Sequence, residues 1–313
     1  MTLLSHYTSP KGLAGIAQSG VLWATRFLNL NDTKEYFYAW NLLLSGVRDT
    51  FLARIPEDRS PTAEAFDDML LSVGTQFRDA LTVRDGLGDL YITSFARSTT
   101  EDHQNRGIFT VWERYTSHRG YCLQFDQSDI ERMLYLEQMR SSYSEIGLIP
   151  VTYGVDRTCR TYTDLSFQLS EYFLAELLRH RLLVDVELNH ERRWAPSHLL
   201  REIMKFCARH KDPCFEDERE IRIFAYPADR SVACVLTGIA GVKELHKGPE
   251  GKTYIKLGEH WRPGISPARI IVGTFAEPNI EASLSLLPRR PILLHADFPL
   301  NPQAQAGEVS SRA

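Results

Sequence analysis

The chain has 313 residues, of which 43% are hydrophobic and 24% charged, a balance that suits a globular protein with a substantial core and excludes a largely disordered one. Lysine and arginine number 36 against 40 acidic residues, giving a net charge of -4, so no overall positive field draws the protein to nucleic acid or to an anionic membrane. The sequence contains neither an apolar run of about 20 residues, as in a membrane helix, nor a basic region followed by an apolar stretch, as in a secretory signal. The five cysteines form no C-x-x-C pair. We therefore expect a cytoplasmic protein with no membrane partner.

Short strands and helices alternate in the first 125 residues. The patterning predicts a strand over 3–8, a helix over 12–19 that Gly20 ends, and a helix that begins near Asn31 or Asp32. It then predicts a helix over about 57–81, a strand over 90–96, a short helix over 108–116 carrying Trp112 and Tyr115, and a strand over 120–125.

The remaining chain is richer in strands after a helical stretch. The predicted elements are a strand over 148–153, helices over 165–183 and 196–207, strands over 218–226, 232–236, 253–257 and 268–272, a helix over 278–286 and a strand over 291–295. Because no regular βαβ period appears, we predict an α+β fold. We expect one domain over 1–300, with helical insertions at about 45–85 and 160–210, and a flexible tail over 301–313.

Polar clusters at predicted strand ends are the candidates for a functional site. His6-Tyr7-Thr8 ends the first strand, and Ser94-Phe95 lies in a later one. A histidine beside an aromatic residue is also typical of a satisfied core histidine. Asn31-Asp32 with Glu35 has the pattern of a helix N-terminus.

The acidic cluster near residue 220 offers a second candidate. Residues two apart in a strand share a face, so Glu218, Glu220 and Arg222 are expected to project together. Such a set suits an open cleft that holds a cationic or polar ligand, and equally an exposed strand face with a ladder of charges.

Several other chemistries lack their motifs. There is no P-loop, no G-x-G-x-x-G after a strand and no G-x-S-x-G. Cys207, His210 and Cys214 do not form a four-ligand pattern, so we predict no metal site and interpret Cys207 as a core thiol. Arginines gather around the second helical insertion, which is typical of a solvated face and also suits a nucleic-acid or protein acceptor; they are Arg157, Arg160, Arg179, Arg181, Arg192 and Arg193.

In their order, these clusters resemble a bacterial family described as domain of unknown function 2971, over most of residues 1 to 275. The resemblance is carried by His6-Tyr7-Thr8, Gly20-Val21-Leu22-Trp23-Ala24-Thr25, Leu30-Asn31-Asp32 with Glu35, Ser94-Phe95, Trp112 with Tyr115, Gly120 to Phe125, and Lys211 ahead of Phe215-x-x-Glu218-x-Glu220-x-Arg222. Phe215 stands where a tryptophan is commoner in that family.

That family is in turn distantly similar to the ADP-ribosyltransferase superfamily, whose fold is a bent, split mixed sheet that grips NAD. The resemblance implies that NAD is the substrate and that a protein or nucleic acid is the acceptor. It assigns NAD binding to His6, Tyr7, Thr8, Ser94, Phe95 and Arg222, with Arg222 positioning either the pyrophosphate or the glutamates. Glu220 would stabilise an oxocarbenium-like transition state, and Glu218 would act as general base. The middle strand reads Thr93-Ser94-Phe95 and departs from the superfamily's Ser-Thr-Ser pattern.

Three functions follow as expectations. The first is an NAD-consuming ADP-ribosyltransferase or NAD glycohydrolase, and the wider superfamily implies a toxin or an antiphage defence effector. The second is a non-catalytic module that binds a nucleotide or a protein on the same fold. The third is a metal-dependent nuclease, which rests only on the clustered acids Asp32, Glu35, Glu218 and Glu220.

Overall fold

The computed structural model describes residues 2–30, 33–53, 89–179, 196–228, 241–248, 251–262, 264–277 and 280–298, and positions 64, 66–68, 71–72 and 75. Several predictions fall outside these residues: most of the helix over 57–81, the strand over 232–236, the tail over 301–313, and Asn31, Asp32, Arg181, Arg192 and Arg193.

Strands and helices are interleaved along the described chain. The strands are β1 (Leu3–Thr8), β2 (Leu22–Arg26), β3 (Tyr91–Ser98), β4 (Tyr121–Asp126), β5 (Tyr143–Pro150), β6 (Thr152–Tyr153), β7 (His210–Lys211), β8 (Glu220–Pro227), β9 (His246–Lys247), β10 (Thr253–Leu257), β11 (Arg269–Val272) and β12 (Ile292–His295). The helices are α1 (Pro10–Ser19), α2 (Thr33–Leu52), α3 (Glu101–Arg106), α4 (Phe109–Thr116), α5 (Gln127–Arg140), α6 (Arg160–Arg179), α7 (Pro196–Arg209) and α8 (Glu281–Leu284). The predicted α+β class is confirmed.

The chain divides into two compact units. The first comprises residues 1–22, 94–137 and 256–313, and the second comprises 23–93 and 138–255. The expectation of one domain over 1–300 stays a prediction. Within the described residues, no helix combines the length and the apolar character needed to cross a membrane.

A mixed sheet forms the framework of the first unit. β1 pairs antiparallel with both β3 and β4, so Ser5 lies opposite Ala96 on one side and Gln124 on the other. β4 also pairs antiparallel with β11, whereas β11 and β12 run parallel. β1 is therefore flanked on both sides, which fixes the direction of the side chains that it presents.

Local signals explain the helices of the first unit. α1 begins at Pro10 after Ser9, whose hydroxyl accepts a hydrogen bond from the backbone N–H of Gly12, and it ends at Gly20 in the left-handed conformation (φ 65°). In α4, Trp112 is fully buried whereas Tyr115 is 56% exposed. The two aromatic residues three positions apart therefore do not share a buried face.

Helices α2, α6 and α7 build the core of the second unit. α2 buries Ala39, Leu43 and Val47 at intervals of four residues, and α6 buries Leu165 and Leu169 at the same interval. β5 and β8 pair antiparallel along their length, and the two-residue strands β6 and β7 pair in parallel. The predicted strand over 148–153 is thus two strands, of which the longer begins at Tyr143.

The strand predicted over 218–226 begins two residues later. Pro213–Glu218 forms a 3-10 turn, and Arg219 adopts a left-handed conformation (φ 47°) before β8 begins at Glu220. Glu218 therefore lies in the turn and not in the strand. This local geometry decides how the candidate acids meet.

Candidate functional site

A cluster of buried ionic side chains lies in the second unit. It comprises Glu35 from α2, Lys211 from β7, Glu218 from the turn, and Glu220 and Arg222 from β8, and we call it the ion cluster. None of the five residues is more than 7% exposed. Burying charges at this level requires close partners of opposite sign.

Arg222 is the centre of the ion cluster. Its Nε donates to Glu220 Oε1 at 2.7 Å and one terminal nitrogen donates to Glu220 Oε2 at 2.9 Å, a bidentate pair. The same terminal nitrogen donates to Glu35 Oε1. The other terminal nitrogen donates to the backbone carbonyl of Ala208 at 2.5 Å, so the guanidinium ties β8 to both α2 and α7.

Lys211 joins the carboxylates from a second direction. Its Nζ lies 2.7 Å from Glu218 Oε2, 3.1 Å from Glu220 Oε2 and 3.5 Å from Glu35 Oε1. The ammonium also lies 5.0 Å from the centre of the Phe215 ring, within the range of a cation–π contact. Phenylalanine at position 215 thus keeps an aromatic face against the cation.

The turn before β8 brings the two neighbouring acids to one cation. Asp212 caps the turn, because its Oδ1 accepts from the N–H of Cys214 at 2.9 Å. Arg219 then ends the turn in the left-handed conformation. The N–H of Glu220 donates to the hydroxyl of Tyr153 at 2.7 Å, which fixes the start of the strand.

Burial and charge act in opposite directions in the ion cluster. Burial raises the pKa of Glu35, and the adjacent Glu220 raises it further, although Arg222 and Lys211 favour the ionised form. Burial disfavours the charged form of Arg222, but the carboxylates of Glu220 and Glu35 raise its pKa above its usual value. Burial, followed by the negative charges of Glu220 and Glu218, raises the pKa of Tyr153 to about 12.

The setting of Glu218, Glu220 and Arg222 differs from both sequence-based alternatives. The side chains do come together, as expected, but they lie neither on an exposed strand face nor open to solvent. The interpretation as an exposed charge ladder is wrong, because Glu35 and Lys211 cover the carboxylates and arginine from other elements. Desolvated and paired in this way, the carboxylates fix the positions of α2, α7 and β8.

His6 is the principal polar candidate in the first unit. Its Nδ1 lies 3.0 Å from the backbone carbonyl of Ser94, and because a carbonyl only accepts, this nitrogen carries the proton. The ring centre lies 5.7 Å from that of Phe95. Burial lowers the pKa of His6, so the imidazole is neutral near pH 7 and its Nε2 is a hydrogen-bond acceptor.

Tyr7 and Thr8 follow His6 on β1 and lie on opposite faces of the sheet. The hydroxyl of Tyr7 accepts from the N–H of Ile108 at 2.6 Å, and its ring packs edge-on against Trp112 at 5.0 Å. Since side chains alternate along a strand, Tyr7 faces away from His6, whereas Thr8, which is half-buried, shares the face of His6. Burial raises the pKa of Tyr7 well above 10, so the phenol stays protonated.

Two groups of candidate residues therefore form, one in each unit. His6 contacts the backbone of Ser94 and the ring of Phe95 in the first unit. Alternation places the side chains of Ser94 and Phe95 on opposite faces of β3. Glu218, Glu220 and Arg222 form the other group, in the second unit.

Sequence reasoning missed the roles of two residues in the ion cluster. The sequence places Glu35 at a helix N-terminus and among the clustered acids, and it does not indicate that Glu35 meets Arg222 across 187 positions of the chain. Lys211 belongs to the ordered motif that precedes Glu218, but its contact with both glutamates was not anticipated. Glu35, Lys211 and Arg222 belong to the same ordered set of motifs, and this is the sequence signal that could have indicated a shared site.

The metal-capable residues are placed as follows. Within the described residues, no group of three or more His, Cys, Asp and Glu side chains has the geometry to hold a metal ion. Cys207 is fully buried in the core of the second unit, as its position in the helix predicts. Burial raises the pKa of its thiol, which leaves it protonated and unreactive.

Comparison with known proteins gives one family match. Residues 111–223, just over a third of the chain, match the family described as "Protein of unknown function (DUF2971)". The match supports the resemblance to that family over this stretch, which contains four members of the ion cluster: Lys211, Glu218, Glu220 and Arg222. No curated protein and no solved structure matches the chain.

Proposed function

We propose that the protein is an NAD-consuming enzyme of the ADP-ribosyltransferase type. It would cleave the bond between nicotinamide and ribose and transfer ADP-ribose to a macromolecule or to water. The mixed sheet of the first unit is compatible with the bent, split sheet of that superfamily. The distant resemblance of the sequence to that superfamily is the reason for proposing NAD as the substrate.

The observation that carries the proposal is the fixed imidazole of His6. The carbonyl of Ser94 accepts a hydrogen bond from its Nδ1–H, and this arrangement makes Nε2 an acceptor near the end of a flanked strand. A ribose hydroxyl is a suitable donor for such a nitrogen. Phe95, next to the imidazole, would add an apolar wall beside the sugar.

The carboxylates have the remaining roles in this proposal. The distant resemblance to the superfamily would give Glu220 the stabilisation of the oxocarbenium-like state and Glu218 the general-base role, each within the second unit. Arg222 would act as a positioning residue, since its bidentate contact sets the orientation of Glu220. We assign no metal to this reaction.

The burial of the ion cluster favours a second candidate, a non-catalytic module that binds a nucleotide or a protein. Glu220 is 6% exposed and is held by both Arg222 and Lys211. A carboxylate held in this way stabilises a fold without taking part in a reaction. The nuclease alternative gains no support from the described residues, which lack a group able to hold a metal ion.

The test compares the purified full chain with His6→Ala, using chromatography to follow nicotinamide released from NAD with and without cell lysate. We expect the wild-type chain to release nicotinamide and His6→Ala to release at least tenfold less. The exposed control Glu131→Gln should keep the wild-type activity and melting temperature. Equal release by the wild type and His6→Ala contradicts the role of His6.

Calorimetry with NAD and ADP-ribose separates the two candidates. Saturable binding without turnover supports the binding module and rejects the enzyme, whereas the absence of both binding and turnover rejects the enzyme and a module that binds these nucleotides. A toxin would also arrest the growth of cells that express it, and His6→Ala should relieve the arrest. Glu220→Gln is assayed alongside a thermal melt, because its loss of charge also changes the ion cluster.

A further inference from the structure

A cavity of about 420 Å³ lies within the second unit, next to α7. We call it the α7 cavity. Ile149, Phe206 and Phe224 contribute apolar wall, and His210 lies among its polar lining. This volume falls in the range of small-molecule sites, which typically combine an apolar wall with a few placed polar groups.

His210 supplies a fixed acceptor to the α7 cavity. Its Nδ1 lies 2.9 Å from the backbone carbonyl of Phe206, so that nitrogen carries the proton, and the imidazole stacks on the Phe206 ring with 3.9 Å between ring centres. The residue is 7% exposed, and Nε2 has no hydrogen-bond partner among the described residues. Nε2 is therefore available to a ligand that donates a hydrogen bond.

The wall that carries His210 is rigid. Thr152 pairs with His210 between β6 and β7, and the next residue, Lys211, belongs to the ion cluster. Arg222 holds the carbonyl of Ala208, another lining residue, at 2.5 Å. The ion cluster thus contacts the backbone on both sides of His210, at Ala208 and at Lys211.

The charged residues of the lining carry an excess of carboxylates. Lys205 lies 2.5 Å from Glu145 Oε2 and 2.8 Å from Glu202 Oε1, so a single ammonium serves two acids. Asp156 and Arg209 complete the charged lining. Three carboxylates therefore face two cations among the described lining residues, and the balance favours a positively charged ligand.

We propose that the α7 cavity binds a small organic cation, a protonated amine or amidine with an apolar body. An N–H of the ligand donates to His210 Nε2, its charge lies beside Glu145 and Glu202, and its apolar body packs on Phe206 and Phe224. The proposal is independent of NAD turnover. An organic cation fits better than a metal ion, because the described residues hold no group of ligands with metal-binding geometry.

Calorimetry with four fragment-sized probes tests the charge preference of the cavity. Phenethylamine and benzamidine are cations, benzoate is an anion and benzyl alcohol is neutral. We expect the two cations to bind with dissociation constants of about 1 mM, as suits ligands of this size, and the anion to bind at least tenfold more weakly. The proposal is overturned if benzoate binds more tightly than the cations, or if neither cation binds at about 20 mM.

Variants locate the binding. Glu202→Gln should weaken phenethylamine binding about fivefold to tenfold, whereas Glu131→Gln, an exposed acid on α5 in the first unit, should leave it unchanged. His210→Leu should abolish binding, and His210→Asn, which keeps a donor and an acceptor, should retain part of it. Unchanged binding in both Glu202→Gln and His210→Leu overturns the assignment to this cavity.

Discussion

The ion cluster of the second unit and the imidazole of His6 in the first unit solve the burial of ionisable groups in different ways. In the ion cluster, charges remain and are paired, as in the bidentate contact between Arg222 and Glu220. At His6 the charge is absent, because burial lowers the pKa of the ring, and the neutral ring donates its Nδ1 hydrogen to a backbone carbonyl. Removing one member of a buried ion pair is unfavourable, because its partner is left charged and unpaired. The neutral ring of His6, in contrast, has a second nitrogen, Nε2, that can accept a hydrogen bond from a ligand.

Substitution of Arg222 should have the largest effect on stability. Arg222→Met leaves Glu220 and Glu35 without their principal cation, and removing one partner of a buried pair typically costs about 3–5 kcal/mol. Urea denaturation should show this loss, with Arg160→Ala as the control, since Arg160 pairs with Asp164 at an exposed position. A loss below about 1 kcal/mol would mean that the buried charges of the cluster are not held by Arg222.

Combining changes sharpens the same comparison. Replacing Arg222 by Met together with Glu220→Gln and Glu35→Gln removes both signs of charge at once. Because a buried ionic set replaced by neutral groups is often close to neutral in stability, this triple variant should recover part of the loss. A triple variant less stable than Arg222→Met would show that packing or hydrogen bonds, and not unpaired charge, dominate.

Substitution of His6 should have a smaller effect. His6→Phe keeps a ring beside Phe95 but loses the hydrogen bond to the Ser94 carbonyl, at a cost of about 1 kcal/mol. The pKa of His6 is lowered in the folded chain, so the unfolded chain binds more protons below about pH 6.5 and stability falls on acidification. The variant should show a weaker fall between pH 7.5 and pH 5.5 in denaturant titrations, and an identical slope would contradict a lowered pKa for the His6 imidazole.

Glu35 should give the smallest change at neutral pH and the opposite dependence on pH. Burial raises its pKa, so the folded chain holds the proton more tightly than the unfolded chain. The stabilising contribution is present below about pH 4.5 and is lost as the pH rises through the folded-state pKa. Glu35→Gln keeps an acceptor for Arg222 and should change stability by less than about 1 kcal/mol at pH 7.

Denaturant titrations from pH 4 to pH 8 measure this contribution. The decrease in stability with rising pH that the wild-type chain owes to Glu35 should be absent from Glu35→Gln. The exposed control Glu131→Gln should retain the wild-type slope. A slope that is the same in all three proteins would show that the carboxylate of Glu35 is ionised without cost in the cluster.

The sequence by itself determined those features that depend on residues a few positions apart. Alternation identified β1 and β3, and with them His6, and the Ser9 and Gly20 caps marked the ends of α1. Capping and periodicity are local, so they are visible without the fold. The start of β8 was misplaced, because the left-handed conformation of Arg219 has no signal in that residue type.

Only the tertiary structure decided what surrounds the acids. Glu218, Glu220 and Arg222 read equally well as an open or an exposed set, and their burial depends on Glu35 and Lys211, which arrive from α2 and β7. The same is true of His210, whose stacking on Phe206 and place in the α7 cavity follow from the packing of α7 and β7. Whether a charge is paired or an acceptor is left for a ligand depends on groups that are distant in sequence, and a local pattern does not contain them.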